Sequence, residues 1–417
     1  MRSSRSGSRN SMAGPMEQHR DKSSSAHNRK NISMKKKSTT RKLGNASRAG
    51  SRKRAPAASA GISGASTDRQ LDALLALLAD SPMLVISGAK IAREIGVTRS
   101  TVWRWVTTLR SLGVQVKGHP RSGYHIERVP DLLVPVLLSR VLQGTAHAKR
   151  IHHYFKVDST NRVAMELGHQ DEPHGAIVVA EEQTAGRGRT GRTWHSEKSS
   201  GIYLTILLRP QLTPVQAPAL TLAAGLAARD AIAEQIGSGN ANVKTDLRWP
   251  NDVLLNGKKV CGILTEMYAE PDRIKFVVVG FGINVNNTKM PAELSGIATS
   301  LLIETARAHS RLELAARLLR RFETYYNQLQ NAGPGPIISR FNEVSSYAHG
   351  RRVGVRVGQA GGKADNMETF WATTAGLDPS GLLRVTRDDG RTETLLAADI
   401  SDAAPLSAIG AADVAHH

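Results

Sequence analysis

The chain has 417 residues, enough for two or three domains, and its 40% hydrophobic and 22% charged residues are ordinary for a globular protein. No apolar run reaches the roughly 18 residues of a membrane span, and the single cysteine, Cys261, excludes an internal disulfide framework and a cysteine-based zinc site. We therefore expect a cytoplasmic protein without a membrane partner, and we ask next where its net charge of +20 lies.

Most of the net charge lies in residues 1–66, which hold 16 Lys and Arg residues but only two acids and so contribute +14 of the +20. This segment is rich in Ser, Gly and Ala and has no periodic hydrophobic residues, so it cannot bury enough apolar surface to fold. We predict a disordered basic tail here and a second, short tail at 406–417. Four interpretations of the basic tail stay open: attraction to nucleic acid, a solvated extension without a role, sequence that precedes the true start at Met12, Met16 or Met34, and an organellar transit peptide.

Residues 67–130 predict three helices followed by a β-hairpin. The stretch "TDRQLDALLALLAD" spaces its leucines at helical intervals and begins with a candidate N-cap, Thr67 or Asp68. Two shorter helices follow in "SGAKIAREIGV" and "TRSTVWRWVTTLRSLGV", separated by Gly96, and "VQVKGHPRSGYHI" predicts strand, turn and strand. This order of elements is typical of a winged helix-turn-helix domain.

The third helix of such a domain enters the major groove of DNA with its N-terminal residues. The side chains suited to phosphates and base edges are Arg99, Ser100, Thr101 and Arg104 on this helix, with Lys117 and Arg121 on the hairpin. We expect these residues to bind a DNA operator. The alternative is a protein-contact module, in which Trp103 and Trp105 are only the core and the surface of a packed helix.

Residues 131–345 predict alternating strands and helices with a largely antiparallel sheet, after a linking helix in "DLLVPVLLSRVLQG". Within them, "LRWPNDVLLNGKKVCGILTEMY" contains two strand-like runs joined by Asn-Gly, the strongest short hairpin signal. Residues 346–405 predict short strands with Gly, Asn and Asp turns, which we interpret as a small SH3-like barrel with a long loop at 359–367. The predicted fold class is therefore α+β.

The most unusual segment is "GRGRTGRTW", residues 186–194, which we call the arginine loop. Glycines let backbone N–H groups approach a ligand, and guanidinium groups pair with phosphate or carboxylate. Because like charges repel, we expect the empty loop to be mobile and to order around an anion. The loop lacks the G-x-x-x-x-G-K-[ST] pattern of common ATPases, and the alternative interpretation is a solvated linker.

The arginine loop, then "RWPNDVLLNGKKVCGIL", then "VGFGINVNN", resembles the catalytic core of the biotin–protein ligase family. The preceding winged helix makes the chain similar to bifunctional members, which also act as biotin operon repressors. The resemblance runs from about Leu71 to Ser401. It implies that biotin and MgATP, with Mg²⁺ beside the phosphates, form biotinoyl-5′-adenylate and pyrophosphate. A lysine of a biotin carboxyl carrier domain, as in acetyl-CoA carboxylase, then attacks the mixed anhydride.

The resemblance also implies roles for single residues. Lys259 is the expected catalytic residue, with Arg189, while the neighbouring Lys258 is expected to face solvent because alternate strand residues face opposite ways. The residues expected to bind biotin are Ser159, Thr160, Gln183, Gly186, Arg187, Arg189, Tyr203, Lys259, Gly280 and Gly282. Those expected to bind the nucleotide are Arg189, Trp194, Asn251, Asp252 and Asn284, with Asp252 also a candidate Mg²⁺ ligand.

Structural alternatives stand beside three of these assignments. They are a helix cap for Ser159 and Thr160, a core position for Trp194, and a turn after Pro250 for Asn251 and Asp252. The C-terminal segment departs from some relatives, because Ala375 stands where they have an arginine that contacts nucleotide.

Two other functions fit part of the pattern. One is a ligand-sensing repressor without efficient transfer, and the other is a lipoate–protein ligase, although the loop and "WPND" are of the biotin type. Repression at a two-fold operator requires a homodimer. The strand in "IKFVVVGFGI" is a candidate to pair with a second subunit or with the acceptor domain.

Overall fold

The computed structural model describes residues 60–80, 84–119, 121–240, 242–358 and 367–402. Most of the predicted basic tail, the long loop predicted at 359–367 except its last residue, and the tail predicted at 406–417 lie outside the described residues. Helix α1 spans Ala60–Ala79. The expected helix start at Thr67 or Asp68 is therefore wrong, and the last residues of the predicted tail are helical.

The N-terminal elements are those predicted for a winged helix. In the described part of this region they are α1, α2 (Gly88–Ile95), α3 (Arg99–Ser111), β1 (Gln115–His119) and β2 (Gly123–Arg128), with β1 and β2 antiparallel. The periodic leucines of α1 are buried in a core that also contains Val102, Trp105 and Val106 of α3, whereas Trp103 is 51% exposed.

Local chemistry sets the angle between α2 and α3. The hydroxyls of Ser87 and Thr98 cap the two helices by accepting from backbone N–H groups, and Gly96 between them adopts a left-handed conformation with φ of 74°. Arg110, near the end of α3, donates to Val116 O at 2.9 Å and to Gly118 O at 3.0 Å. These hydrogen bonds hold α3 against the β1–β2 hairpin.

The central region builds a mixed sheet. The described helices are α4 (Pro135–Val141), α5 (Thr160–His169), α6 (Ala217–Ile236), α7 (Leu301–Thr305), α8 (Arg311–Ala332) and α9 (Gly335–Val344). The described strands are β3 (Ile151–Tyr154), β4 (Ala176–Ala180), β5 (Gly201–Leu208), β6 (Thr245–Arg248), β7 (Asp252–Leu255), β8 (Lys258–Ala269) and β9 (Ile274–Asn284). Their order is β3-β4-β5-β9-β8-β7-β6, and only the β3–β4 pair is parallel, so the largely antiparallel sheet is confirmed.

Strand β9 lies inside this sheet, between β5 and β8. Both of its edges are hydrogen-bonded along most of its length, with Tyr203 opposite Gly282 on one side and Gly262 opposite Gly282 on the other. The expectation that "IKFVVVGFGI" pairs with a second subunit or an acceptor domain is therefore wrong. The sheet order depends on contacts between distant segments, which the local strand pattern does not reveal.

Helices cover the two faces of the sheet unequally. Alternate residues such as Ile177 and Val179 face the large core under α6 and α8, while Val178 and Leu207 face a smaller core under α5. This alternation explains why strands buried on both faces read as continuous apolar runs. Because α5 is only ten residues long, part of its face of the sheet is left for a cavity.

The hairpin between β7 and β8 has the predicted turn. Asn256 and Gly257 have φ of 48° and 81°, and positive φ at both central residues is the requirement of the type I′ turn that suits twisted strands. The register fixed by this turn places Leu255 opposite Lys258 and Leu254 opposite Lys259. The hairpin thus determines which of the two lysines faces the cavity.

The C-terminal strands form one antiparallel sheet in the described residues: β10 (His349–Gly358), β11 (Met367–Leu377), β12 (Leu383–Arg387), β13 (Thr392–Leu395) and β14 (Ala398–Ser401). Their order is β13-β12-β11-β10-β14, with β13 and β14 at the two ends, so the sheet is open and an SH3-like barrel is not confirmed. The sheet is joined to the central region by Trp249 Nε1, which donates to Gly381 O at 3.1 Å. Across the described residues, none of the helices is long and apolar enough to span a membrane.

Candidate active site

A cavity of about 240 Å³ lies at the uncovered part of the α5 face of the central sheet. It brings together the start of α5, the arginine loop, the β7–β8 hairpin and β9, which are distant in sequence. The sequence-predicted residues that line it are Ser159, Thr160, Gln183, Arg187, Arg189, Trp194, Asn251, Asp252, Lys259, Gly280, Gly282 and Asn284. The residues of the three motifs therefore meet at one place.

Gly186 and Tyr203 are the two predicted ligand residues that do not line the cavity. A Cβ on Gly186 would lie 2.5 Å from Trp194 O and 2.8 Å from Ser196 Oγ, so glycine is required there for close packing of the loop. The hydroxyl of Tyr203 is buried and donates to Glu197 O at 2.8 Å. The contacts found for these two residues are supporting ones, and direct contact of either residue with biotin stays a prediction.

The arginine loop is folded as a short hairpin. Trp194 N donates to Gly186 O at 2.9 Å, and Gly188 N donates to Arg192 O at 2.7 Å. At its tip, Gly191 has a φ of 77°, a left-handed conformation that suits glycine. This shape holds the arginines beside the cavity, and the expected ordering of the loop around an anion stays a prediction.

Each arginine of the loop has an acidic partner. Arg187 Nη1 lies 3.7 Å from a carboxylate oxygen of Glu266, and Arg189 Nη1 lies 3.7 Å from Asp399. Arg192 pairs with Asp399 as well. Burial lowers the pKa of Arg189, against the opposing effect of the Asp399 charge. Asp399 belongs to β14, so the C-terminal sheet contributes to the site although Ala375 does not.

One end of the cavity is lined by hydroxyls and amides. Thr160 donates from its backbone N–H to Gln183 Oε1 at 2.9 Å, and its hydroxyl lies 3.2 Å from the same oxygen. Beneath it, the buried hydroxyl of Thr205 lies 2.9 Å from Thr160 Oγ1 and 2.7 Å from Asn161 Oδ1. Ser159 occupies the N-cap position of α5 without a side-chain cap bond. These hydroxyls and amides suit a neutral ligand group with both donors and acceptors.

The opposite end carries the charge. Lys259 Nζ lies 2.6 Å from Asp252 Oδ1, and Arg248 Nη2 lies 2.8 Å from Asp252 Oδ2. Burial raises the pKa of Asp252, but the charges of Lys259 and Arg248 outweigh it and hold the pKa below its ordinary value. Lys258 is exposed, as expected from strand alternation. The ammonium of Lys259 is therefore held in place at the cavity wall.

Glycines form the floor between the two ends. A Cβ on Gly282 would lie 2.4 Å from the Trp194 indole, and one on Gly280 would lie 2.0 Å from Asn161 Oδ1. Gly262 is likewise crowded by Trp194. The half-buried indole lies against this floor, with Lys259 Nζ 5.5 Å from its ring centroid. Only glycine at these positions leaves room for the indole and for the Asn161 amide.

The nucleotide residues predicted near Lys259 make specific contacts. Asn251 Oδ1 accepts from Arg189 Nη1 at 3.2 Å, so this asparagine orients the arginine and does more than form a turn. Asn284 Nδ2 donates to Thr299 O at 3.0 Å. This bond ties the cavity to segment 290–298, whose apolar residues form one wall: Met290, Leu294 and Ile297.

The described residues do not fit a protein-held Mg²⁺ ion. They contain no group of three or more His, Cys, Asp or Glu residues that could hold a metal. Both oxygens of Asp252 already contact cations, Lys259 and Arg248. The prediction of Asp252 as a metal ligand is therefore not supported by its contacts, because a cation would have to displace two others.

Sequence reasoning missed several residues of the site. Asp399 is 207 positions from Arg192, and no local signal connects them. Thr205 is hidden in the apolar run of β5, and Arg248 lies within "RWPND" without a local signal that would assign it a role. Asn161 was detectable, since it directly follows the predicted ligand residues Ser159 and Thr160.

A buried ion pair supports the exit of the arginine loop. Glu181, at the end of β4, accepts from Arg311 Nη1 at 2.9 Å, from Leu133 N at 2.7 Å and from Ser199 Oγ at 3.1 Å. Arg311 and Glu181 are 1% and 0% exposed. This pair joins the loop exit to the segment that follows the winged helix.

The predicted DNA residues share one surface of the winged helix. Arg99 and Ser100 are exposed at the start of α3, Arg104 is exposed one turn later, and Thr101 is half-buried. On the hairpin, Arg121 is exposed and Lys117 pairs with Glu127. The hydroxyl of Thr98 lies within hydrogen-bond distance of Ser100 and Thr101, so these two side chains also support the helix start. DNA contact by the set stays a prediction.

Comparison with known proteins finds matches for both the winged helix and the central region. Residues 69–125 match a helix-turn-helix domain model, and residues 154–284 match the biotin/lipoate A/B protein ligase family. The bifunctional ligase/repressor BirA of Bacillus subtilis is 35% identical over 78% of this chain and 97% of its own length. The biotin–[acetyl-CoA-carboxylase] ligase of Mycobacterium tuberculosis is 46% identical over 38% of this chain and 57% of its own.

Among solved structures, the biotin protein ligase from Aquifex aeolicus in complex with biotin and ATP is similar at a TM-score of 0.49 and 28% identity. The alignment covers 61% of this chain and 98% of that one. The similarity to the Bacillus relative spans nearly the whole relative, the winged helix included, and the motif residues meet in one cavity. The chain belongs to the family of bifunctional biotin–protein ligases and biotin operon repressors.

Proposed function

We propose that this protein is an ATP-dependent biotin–protein ligase that forms biotinoyl-5′-adenylate and transfers the biotinoyl group to a lysine of a biotin carboxyl carrier domain. One observation carries the proposal: a neutral polar end and a cationic end face each other across a glycine floor in one cavity. The polar end suits a ureido ring, and the cationic end suits a carboxylate beside a phosphate chain.

The charge of the site suits the first step. A carboxylate oxygen of biotin attacks the α-phosphorus of ATP, an O–P bond forms, and the bond to the β-phosphate oxygen breaks as pyrophosphate leaves. Both reactants are anions, so they repel one another in water. Lys259 and Arg189 provide positive charge where they meet, and Asp252 keeps the Lys259 ammonium oriented.

The second step needs an intact mixed anhydride. An acceptor lysine, as the free amine, attacks the carbonyl carbon, the C–O bond to AMP breaks, and the nitrogen loses a proton. Closure of the arginine loop and of the apolar wall at 290–298 over the adenylate would keep water from hydrolysing it. Trp194 and Asn284 are the side chains we expect beside the adenine.

Magnesium enters this proposal with the substrate. Mg²⁺ is usually bound through substrate phosphates and water with few protein ligands, and it would offset charge on the triphosphate. The chain itself supplies the cations Arg189, Arg248 and Lys259 around the same position. Neither step of the reaction requires a metal ion bound to Asp252.

A second activity, repression of transcription, is supported by the winged helix. The exposed start of α3 and the neighbouring hairpin carry basic side chains suited to DNA. We propose that the protein binds an operator in response to biotin or its adenylate, as a homodimer on a two-fold site. We also propose a cytoplasmic location and three domains. Their limits are 67–130, 131–345 and 346–405.

The test of the ligase proposal is transfer of biotin to a purified biotin carboxyl carrier domain, scored by mass. We expect labelling only when biotin and MgATP are both present, and none when lipoate replaces biotin. Labelling with lipoate would favour the lipoate–protein ligase alternative. Tight biotin binding without labelling would favour a ligand-sensing repressor.

A further inference from the structure

A chain of hydrogen bonds connects the polar end of the cavity to the arginine loop. Thr160 N donates to Gln183 Oε1 at 2.9 Å, and Gln183 Nε2 donates to Ser196 Oγ at 2.9 Å. Ser196 Oγ in turn donates to Trp194 O at 3.3 Å. Each bond fixes the direction of the next, because Gln183 presents its oxygen to one side and its amino group to the other.

Ser196 is the only link of this chain that belongs to neither the cavity wall nor the loop hairpin, as far as the described residues are concerned. It is 8% exposed and packs against Gly186, whose added Cβ would lie 2.8 Å from Ser196 Oγ. At the same point, Trp194 N donates to Gly186 O and closes the base of the loop. A small shift of the Gln183 amide therefore cannot occur without moving the base of the loop.

We propose that Ser196 is a positioning residue that couples ligand occupancy of the polar end to the closed form of the arginine loop. A ligand that hydrogen-bonds to Thr160 and Gln183 fixes the Gln183 amide. Ser196 then holds Trp194 O, which keeps the loop hairpin closed and its arginines at the phosphates. The inference deepens the proposed ligase function, because it takes biotin as the ligand of the polar end.

Serine at this position suits the role chemically. Its hydroxyl accepts one hydrogen bond and donates another, so it can stand between an amide and a carbonyl. Alanine would leave the Gln183 amino group and Trp194 O without this link. Losing one such bond is worth about a fivefold to tenfold change in an equilibrium, here the closing of the loop.

The chain offers a matched control in Ser200. It is also 8% exposed, and its hydroxyl donates to Glu197 O at 3.0 Å and accepts from Asn287 at 3.1 Å, away from Gln183. Ser196→Ala and Ser200→Ala thus remove equally buried hydroxyls four positions apart. Only the first breaks the link to the polar end. Thermal melting of both variants checks that each is folded.

The experiment is limited trypsin digestion of the full chain, with and without saturating biotin, scored by mass at Arg187, Arg189 and Arg192. In the wild type and in Ser200→Ala, we expect biotin to slow cleavage at these sites. In Ser196→Ala, we expect most of this protection to be lost at saturating biotin. In parallel, biotin-dependent ATP–pyrophosphate exchange in Ser196→Ala should lose about fivefold to tenfold in kcat, with less change in the KM for biotin.

Full biotin protection and an unchanged kcat in Ser196→Ala would overturn the inference, and so would equal losses in Ser200→Ala. If Ser196→Ala does not fold, Ser196→Cys decides, because it keeps the shape of the side chain at a slightly larger size but weakens the hydrogen bond and should show partial protection. Wild-type protein with neither exchange nor protection would instead refute the proposed ligase function, so the two failures are distinguishable.

Discussion

Asp252 is the counter-charge on which the cationic end of the cavity depends. Its two oxygens contact Lys259 Nζ at 2.6 Å and Arg248 Nη2 at 2.8 Å. Asp252→Asn keeps the shape of the side chain but removes its charge and replaces one acceptor by a donor. Two neighbouring cations are then left without a negative partner between them.

The stability lost in Asp252→Asn depends on how deeply the ion pairs of Asp252 are buried. Breaking a fully buried ion pair costs about 3 to 5 kcal/mol. The side chains of Lys259, Arg248 and Asp252 are 27%, 21% and 14% exposed, so water screens part of the loss. We expect the free energy of unfolding of Asp252→Asn to fall by about 2 to 3 kcal/mol at pH 7.

Urea denaturation of the wild type, Asp252→Asn, Lys259→Met and the double variant measures this loss. If the lost stability arises from unpaired cations, removing Lys259 as well should restore part of it. The loss in the free energy of unfolding of the double variant should then be smaller than the sum of the two single losses by about 1 kcal/mol or more. A change under about 0.5 kcal/mol in Asp252→Asn, the range of an ordinary surface substitution, would refute the reasoning.

The same pair predicts a pH dependence. The pKa of Asp252 lies below its ordinary value of 3.8, so its stabilising contribution is present above that pH and is lost as the pH falls through the lower, folded-state pKa. The difference between wild type and Asp252→Asn should therefore be constant from about pH 8 to pH 5 and shrink below about pH 4. A difference that grows on acidification would contradict the assignment.

Three further predictions test other parts of the account. Gly282→Ala should displace the loop's indole, 2.4 Å from the new Cβ, and raise the KM for ATP in pyrophosphate exchange by about tenfold, whereas Gly296→Ala, which meets open space, should not. Arg311→Ala should lower the free energy of unfolding in urea by about 3 kcal/mol or more because it leaves a buried carboxylate unpaired, whereas exposed Arg340→Ala should cost under about 1 kcal/mol. Arg104→Ala should reduce the slope of log K against log salt concentration for duplex DNA by about the value of one phosphate contact. An unchanged slope would show that Arg104 does not contact the DNA.

Local signals predicted much of the fold and the site. The Asn256–Gly257 turn and the different environments of Lys258 and Lys259 both follow from short stretches of chain, because turn geometry and strand alternation are local properties. The meeting of the three motifs in one cavity is not a local property, and it was expected only because the resemblance to the biotin–protein ligase family implies it.

Long-range packing could not be predicted. The internal position of β9 follows from its pairing with β5, which lies far away in sequence, as well as with the neighbouring strand β8. The C-terminal sheet is open because its two end strands, β13 and β14, do not pair with each other. Asp399 reaches the arginine loop only because the C-terminal sheet packs beside the cavity. The hydrogen bond from Tyr203 to Glu197 O and the close packing of Gly186 against Ser196 likewise depend on the folded loop and are not visible in the sequence pattern.

The most direct test of the central claim is biotin-dependent exchange of labelled pyrophosphate into ATP by the purified chain, beside Lys259→Ala and Lys258→Ala. The account predicts exchange in the wild type, nearly the same rate in Lys258→Ala, and a loss of about 100-fold or more in Lys259→Ala, the size expected when a preorganised charge is removed from a reacting group. Exchange that survives in Lys259→Ala, or that is absent from the folded, biotin-binding wild type, would contradict it.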